Sequence, residues 1–179
     1  MFRKVPEVGN QVQLTKSDVK DVRKGLLKAM PGLEPYIEDI MPKKAAMFGC
    51  RLKSNDKSEL TIVDGQIICF TKGKQVIPSL WLLQRYPFTL PKFQVDKGAI
   101  RFILAGADIM CPGLTSAGGS MVDVESGTIV AVFAEGKEHP IGVGLTTNST
   151  AEIRKVNKDI GVLNLHYVGD DLWKLDLSH

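Results

Sequence analysis

Residues 87–91 of this 179-residue chain read Pro87-Phe88-Thr89-Leu90-Pro91. Two prolines so close fix two backbone angles and remove two amide donors, so neither a helix nor an interior strand runs through the segment. It is stiff and loop-like, and it parts two halves of different character. Residues 1–92 carry 16 Lys+Arg against 9 Asp+Glu, a net of +7; residues 93–179 carry 7 against 11, a net of −4. The split points to two units with different partners, an N-terminal domain over 1–92 and a second over 93–179. A basic half favours a polyanion through phosphate neutralisation and counterion release, although a solvated lysine-rich surface accounts for the same count.

Apolar residues make up 44% of the chain and charged residues 24%, which excludes a disordered tail and a low-complexity scaffold. No stretch approaches the roughly 20 apolar residues of a membrane span. Residues 1–6 have no apolar run behind their charges, so no signal peptide is expected. Cys50, Cys69 and Cys111 form no CxxC pair, which suggests neither a disulfide framework nor a zinc knuckle. The expected setting is the reducing cytoplasm.

In the first half, Val19, Val22, Leu26, Leu27 and Met30 recur at helical spacing and predict a helix over 17–30. Lys16, Lys20, Lys24 and Lys28 form a basic stripe on its other side, Thr15 with Asp18 can make a capping box, and Pro31-Gly32 ends the helix. A short second helix follows, with Leu33, Tyr36, Ile37, Ile40 and Met41 pointing inward. Strands are expected at 47–52, 59–63 and 66–70, the last two joined by a hairpin turn at Asp64-Gly65. A short helix over 79–86 is bracketed by Pro78 and Pro87.

In the second half, Asp96 can cap a helix over 98–104 that Gly106 closes. A short strand at Ile109-Met110-Cys111 is expected to end in a bend at Pro112-Gly113. Residues 115–120 are expected to form a loop, 128–134 and 141–147 strands, and 150–158 a helix opened by a Ser149–Glu152 capping box. Residues 162–168 and 172–175 are expected to form closing strands around the turn Gly169-Asp170-Asp171. Many short strands with small helices imply a compact, mostly β, barrel-like domain after an N-terminal α/β domain, an α+β chain as a whole.

Catalytic and metal-binding patterns are scarce. His139, His166 and His179 lie at no metal-ligand spacing, and no GxSxG, GxxxxGK[ST] or HExxH occurs. His166 in its β-rich run is expected to be a packed histidine. A turn explains Asp170 and Asp171 with less assumption than a carboxylate pair, and Cys111 has no obvious base beside it.

The most informative stretch is Val95-Asp96-Lys97-Gly98-Ala99-Ile100-Arg101-Phe102. Gly98 and Ala99 leave first-turn amides uncovered by side chains, and with Lys97 and Arg101 beside them those donors can hold a phosphate. Close packing of the helix against a strand explains the same small residues. Basic residues also concentrate between Lys43 and Arg101, with Lys43, Lys44, Lys72, Lys74 and Arg85 among them. Trp81, Tyr86 and Phe88 interleave with them and can stack on bases, whereas their apolar neighbourhoods favour a core position for Trp81 and Phe88.

Residues 95–114 resemble the heart of a PUA domain, the RNA-binding fold named after pseudouridine synthases and archaeosine transglycosylases. The whole chain is similar to the malignant T-cell-amplified sequence protein family. That likeness is carried by Met41-Pro42-Lys43-Lys44 and by residues 78–87, 128–139 and 155–158 through Leu172-Trp173. Agreement is weakest at 5–15, 45–58 and 119–127. Ala117 follows Ser116 where some relatives have proline, which speaks against proline-directed phosphorylation there.

The resemblance implies a non-enzymatic translation factor acting on the small ribosomal subunit in initiation, reinitiation and recycling. It implies no cofactor, metal, membrane or small-molecule substrate. Its partner would be density-regulated protein, supplied in trans because the chain ends soon after its closing strands, whereas the ligatin-like initiation factor holds both parts. By the same analogy the PUA domain faces the acceptor end of transfer RNA through Lys97, Gly98, Ala99, Arg101, Met110, Cys111, Pro112 and Gly113. The basic first half, with Lys43, Lys44, Lys72, Lys74 and Arg85, faces the ribosome. Two other readings are an RNA-docking subunit of a modifying enzyme and a protein-binding adaptor. For the former, Arg51-Leu52-Lys53 is the nearest approach to a synthase's Gly-Arg-Leu-Asp context. The latter is kept open by the acidic second half.

Overall fold

The computed structural model describes residues 7–53, 58–175 and 177. Residues 1–6 and His179 lie outside the described residues, so the expectations resting on them stay with the sequence. The chain divides into two compact units between Thr89 and Leu90.

The first unit is an antiparallel sheet in chain order, β1 (Val8–Gln13), β2 (Met47–Leu52), β3 (Glu59–Val63), β4 (Gln66–Lys72) and β5 (Gln75–Pro78). Asp64 and Gly65 take φ of 48° and 76°, the positive pair that a two-residue hairpin needs to match the twist of its strands. Helix α1 (Lys16–Ala29) starts in the expected capping box, with the Asp18 amide 3.2 Å from Thr15 Oγ1 and the Thr15 amide 2.9 Å from Asp18 Oδ2. It lies close to β5 because Gly25 has no side chain: a Cβ there would stand 2.4 Å from Val76 Cγ2. Leu26, Met30, Leu33, Leu60, Ile62 and Phe70 are buried in this unit, each contributing about 1.5–3 kcal/mol by leaving water.

Several expectations are corrected here. The second helix is a 3-10 stretch (Pro31–Tyr36) followed by one turn of α2 (Ile37–Ile40), since Pro35 in its interior withholds a donor a longer α-helix requires. Tyr36 is partly exposed rather than inward. Helix α3 (Leu80–Arg85) buries Leu80, Leu82 and Leu83 and leaves Trp81 51% and Phe88 beyond it 64% exposed, so neither is a core residue.

The second unit is a six-stranded sheet in the order β7-β11-β10-β9-β6-β8. Its strands are β6 (Lys92–Val95), β7 (Ile109–Met110), β8 (Ser120–Met121), β9 (Ile129–Ala134), β10 (Pro140–Thr146) and β11 (Ile160–Tyr167). All pairings are antiparallel except β6 with β9. Three short helices, α4 (Lys97–Ile103), α5 (Cys111–Thr115) and α6 (Thr150–Val156), complete it. One hydrophobic cluster draws Phe93 and Val95 from β6, Ile109 from β7 and Val162 from β11, so strands remote in sheet order share a core and the sheet curls around it. Pro112-Gly113 is not a bend: Pro112 sits in the first turn of α5, where its missing amide hydrogen costs nothing. Residues 172–175 form no strand; Asp170 holds them in a turn, its Oδ1 accepting from the Trp173 amide at 2.8 Å.

Candidate nucleic-acid interface

The candidate site begins where β6 turns into α4. Asp96 caps that helix, with the Ala99 amide donating to its Oδ1 at 2.9 Å, and the Asp96 amide donates to the Gly113 carbonyl at 3.0 Å. The start of α4 is thereby tied to α5. The two helices approach closely because the facing residues are small: a Cβ on Gly113 would come within 3.2 Å of the Ala99 Cβ. Between them opens a groove of about 600 Å³, lined by Gly98, Ala99, Phe102, Met110, Pro112 and Ile160 among others. Phe102, Met110 and Ile160 are 53%, 49% and 39% exposed and give the groove an apolar rim.

Of the eight residues expected to contact RNA, Gly98, Ala99, Met110, Pro112 and Gly113 line this groove. Lys97 and Arg101 are exposed on α4 outside its lining, and the Arg101 guanidinium lies 4.6 Å from the centre of the Phe102 ring. That places a cation over an aromatic face at the rim. Cys111 turns away into the core, where burial pushes its thiol up, which suppresses the thiolate a nucleophile would need. Cys69 is likewise pushed up to about 12 by burial.

The α4 amides expected to cradle a phosphate have partners within the chain. The Lys97 amide donates to Glu135 Oε2 at 3.1 Å and the Ala99 amide to Asp96. The Ser116 hydroxyl first, and the Ala99 and Gly98 amides after it, hold the Asp96 carboxyl below its ordinary value. Two carboxylates thus occupy the donors a phosphate would use. What remains is an apolar slot with a cation–aromatic pair beside it, suited to stacking on a flat base rather than to capturing a lone phosphate.

Asn164, which sequence reasoning passed over, shapes the far wall. Its Nδ2 donates to the carbonyls of Ile103 at 3.1 Å and Ala107 at 3.0 Å, while its backbone amide donates to Asp108 Oδ1 at 2.8 Å. The loop after α4 is therefore pinned to β11, which fixes Phe102 at the rim. No local pattern announces this, because the partners lie 56 to 61 residues away.

The expected ribosome-facing cations do not gather in one place. Lys43 and Lys44 are exposed just before the sheet end at which Met47 pairs with Val63. Lys72 and Lys74 belong to the β4–β5 turn at the opposite end, about 20 Å away along seven strand residues. Arg85 is exposed in the last turn of α3, 5.5 Å from the Tyr86 ring centre. Among the described residues no group of three or more His, Cys, Asp and Glu side chains converges as a metal site, and no helix is long and apolar enough to cross a membrane.

The Pre-PUA-like domain family matches residues 2–87 and the PUA domain family residues 91–168. The chain is 45% identical over 179 residues to malignant T-cell-amplified sequence 2 of Mus musculus, covering 98% of each. It is 38% identical over 183 residues to translation machinery-associated protein 20 of Saccharomyces cerevisiae, covering 99% of this chain and 100% of that one. A crystal structure of a hypothetical protein from Pyrococcus horikoshii shares the fold with a TM-score of 0.72 at 23% identity, covering 92% of this chain and 98% of the archaeal one.

Proposed function

Since the chain belongs to the malignant T-cell-amplified sequence family, we propose that it is a non-enzymatic, RNA-binding translation factor. In this reading it acts in the cytoplasm on the small ribosomal subunit, in initiation, reinitiation and recycling. Density-regulated protein joins it in trans. The single-stranded acceptor end of transfer RNA enters the α4–α5 groove, a terminal base stacks on Phe102, and Arg101 meets the adjoining phosphate. The observation that carries this is the exposed apolar rim with the Arg101 guanidinium over Phe102. The printed name of the yeast relative, a translation machinery-associated protein, supports the setting. In the first unit, Lys43 with Lys44 and Lys72 with Lys74 contact ribosomal RNA as two separate points.

Sedimentation with purified small subunits, with and without density-regulated protein and deacylated transfer RNA, tests this. Co-sedimentation is expected, tightened by the partner. Neutralising either lysine pair should lower the salt dependence by roughly one to two counterions, and the two effects should add. Failure to co-sediment under any combination would overturn the proposal. The carboxylates of Asp96 and Glu135 beside the groove favour a second reading, in which the groove takes an apolar protein segment. Under that reading Phe102→Ala weakens partner binding and leaves transfer-RNA affinity unchanged.

A further inference from the structure

Among the described residues, the first unit leaves one sheet edge open. At the far side β5 lies beside α1 and ends in a proline, two ordinary ways of closing an edge. At the near side β1 pairs only with β2 among the described residues. Its sequence, Val8-Gly9-Asn10-Gln11-Val12-Gln13, holds neither charge nor proline, and it is exposed from Asn10 onward, with Val12 65% exposed. The Leu14 amide donates to the Met47 carbonyl at 2.8 Å, and Val12 stands opposite Gly49. By antiparallel alternation the amide and carbonyl groups of Gln11 and Gln13 therefore point outward from the sheet.

A groove of about 660 Å³ runs beside this strand, between β1, the first turns of α1 and the face of the sheet. Asp18, Asp21 and Glu59 line it, and Arg51, 3.8 Å from Glu59, is its one lining cation. Asp18 is held below its ordinary value by the Thr15 hydroxyl and then the Thr15 amide. Three of the nine acidic residues of the basic half thus line one groove, next to a strand edge that has no partner among the described residues.

We infer that the open edge of β1, with the acidic groove beside it, docks an extended basic segment of a partner protein as an added strand. The main chain of the segment pairs with Gln11 and Gln13. Its alternate side chains project to one face, and its Lys or Arg side chains lie next to the groove that Asp18 and Asp21 line, with Glu59 deeper in it on β3. Nucleic acid is disfavoured by the groove's negative charge. A second copy of the chain is disfavoured because edge-to-edge pairing would bring two acidic grooves together.

The test uses the full-length protein and a fluorescein-labelled seven-residue peptide of alternating threonine and lysine. Three companions are the same peptide with glutamate for lysine, one N-methylated at alternate residues, and a single-stranded oligouridylate. Saturable anisotropy binding is expected for the lysine peptide, with at least a tenfold loss for each companion. Asp21→Lys should weaken the lysine peptide at least tenfold. Gln11→Pro, which removes an outward amide hydrogen and no bond to β2, should do the same. The inference is overturned if the N-methylated peptide binds as tightly as its parent, or if the oligouridylate is preferred. It is equally overturned if the lysine peptide fails to bind, or if ultracentrifugation shows a dimer that Gln11→Pro abolishes.

Discussion

His166 Nδ1 and Asp170 Oδ2 stand 2.7 Å apart, both side chains fully shielded from water. The same carboxylate accepts from the Tyr167 amide at 3.1 Å and the Trp173 amide at 2.8 Å, so one residue of the last described turn ties β11 to the segment that follows it. The pair lies outside the groove lining and serves the fold.

Asp170→Ala should therefore cost about 3 kcal/mol, since it strands three buried donors or acceptors at once. Denaturant unfolding followed by tryptophan fluorescence measures it. A loss below about 1 kcal/mol would show that water replaces the carboxylate.

Gly25→Ala puts two effects in opposition. Alanine gains about 1 kcal/mol of helix propensity over glycine. Its Cβ, however, would lie 2.4 Å from Val76 Cγ2, and relieving such a clash costs about 1–3 kcal/mol. A net loss of stability is expected, and Gly25→Ala combined with Val76→Ala should recover part of it.

Phe102→Ala and Met110→Asp should each weaken transfer-RNA binding with melting temperature unchanged, because both side chains are about half exposed. For Phe102→Ala the expected loss is about 1–3 kcal/mol of stacking. Filter binding with the partner present reads it. Ala99→Glu should weaken binding by blocking the slot, and Glu135→Gln should leave affinity for a free phosphate at background.

The Asp96 carboxyl titrates below its usual 3.8 in the folded protein. A depressed carboxyl contributes stability that is full above the unfolded value and is lost as pH falls through the folded one. Thermal melts from pH 6 to pH 2 should therefore show an acid-sensitive limb beginning near about pH 4, which Asp96→Asn flattens. Asp96→Ala should also cost about 1 kcal/mol at neutral pH through the lost cap.

The parts of the fold that are legible in the sequence are local. The Thr15–Asp18 and Ser149–Glu152 capping boxes and the Asp64-Gly65 turn each depend on residues within four positions of one another, and each occurs as expected. β1 and β5 are not legible, because Gly9, Asn10 and Gln11 show no alternation and Pro78 argues against a strand until its place at an edge is known. Residues 172–175 are mostly apolar, as a closing strand's are, yet the Asp170 carboxylate wins by satisfying turn amides. The groove residues could be named from sequence because β6, α4 and α5 follow one another. That their amides are already occupied could not, since Glu135 lies 38 residues from Lys97.

The parallel join of β6 to β9, and the antiparallel join of β7 to a strand begun about fifty positions later, set an order of events during synthesis. The first unit pairs each strand with its successor, so its sheet can close as the chain emerges. The second cannot. Its core spans Phe93 to Val162, 69 positions apart, and at about 5–20 residues per second the ribosome needs roughly 3–14 s to deliver them all. Until β9 is made, Phe93 and Val95 stand on an unpaired β6, and until β11 arrives they and Ile103 lack part of their core. The nascent chain is most in need of a chaperone in that window, and a stall between α4 and β11 is where aggregation would begin.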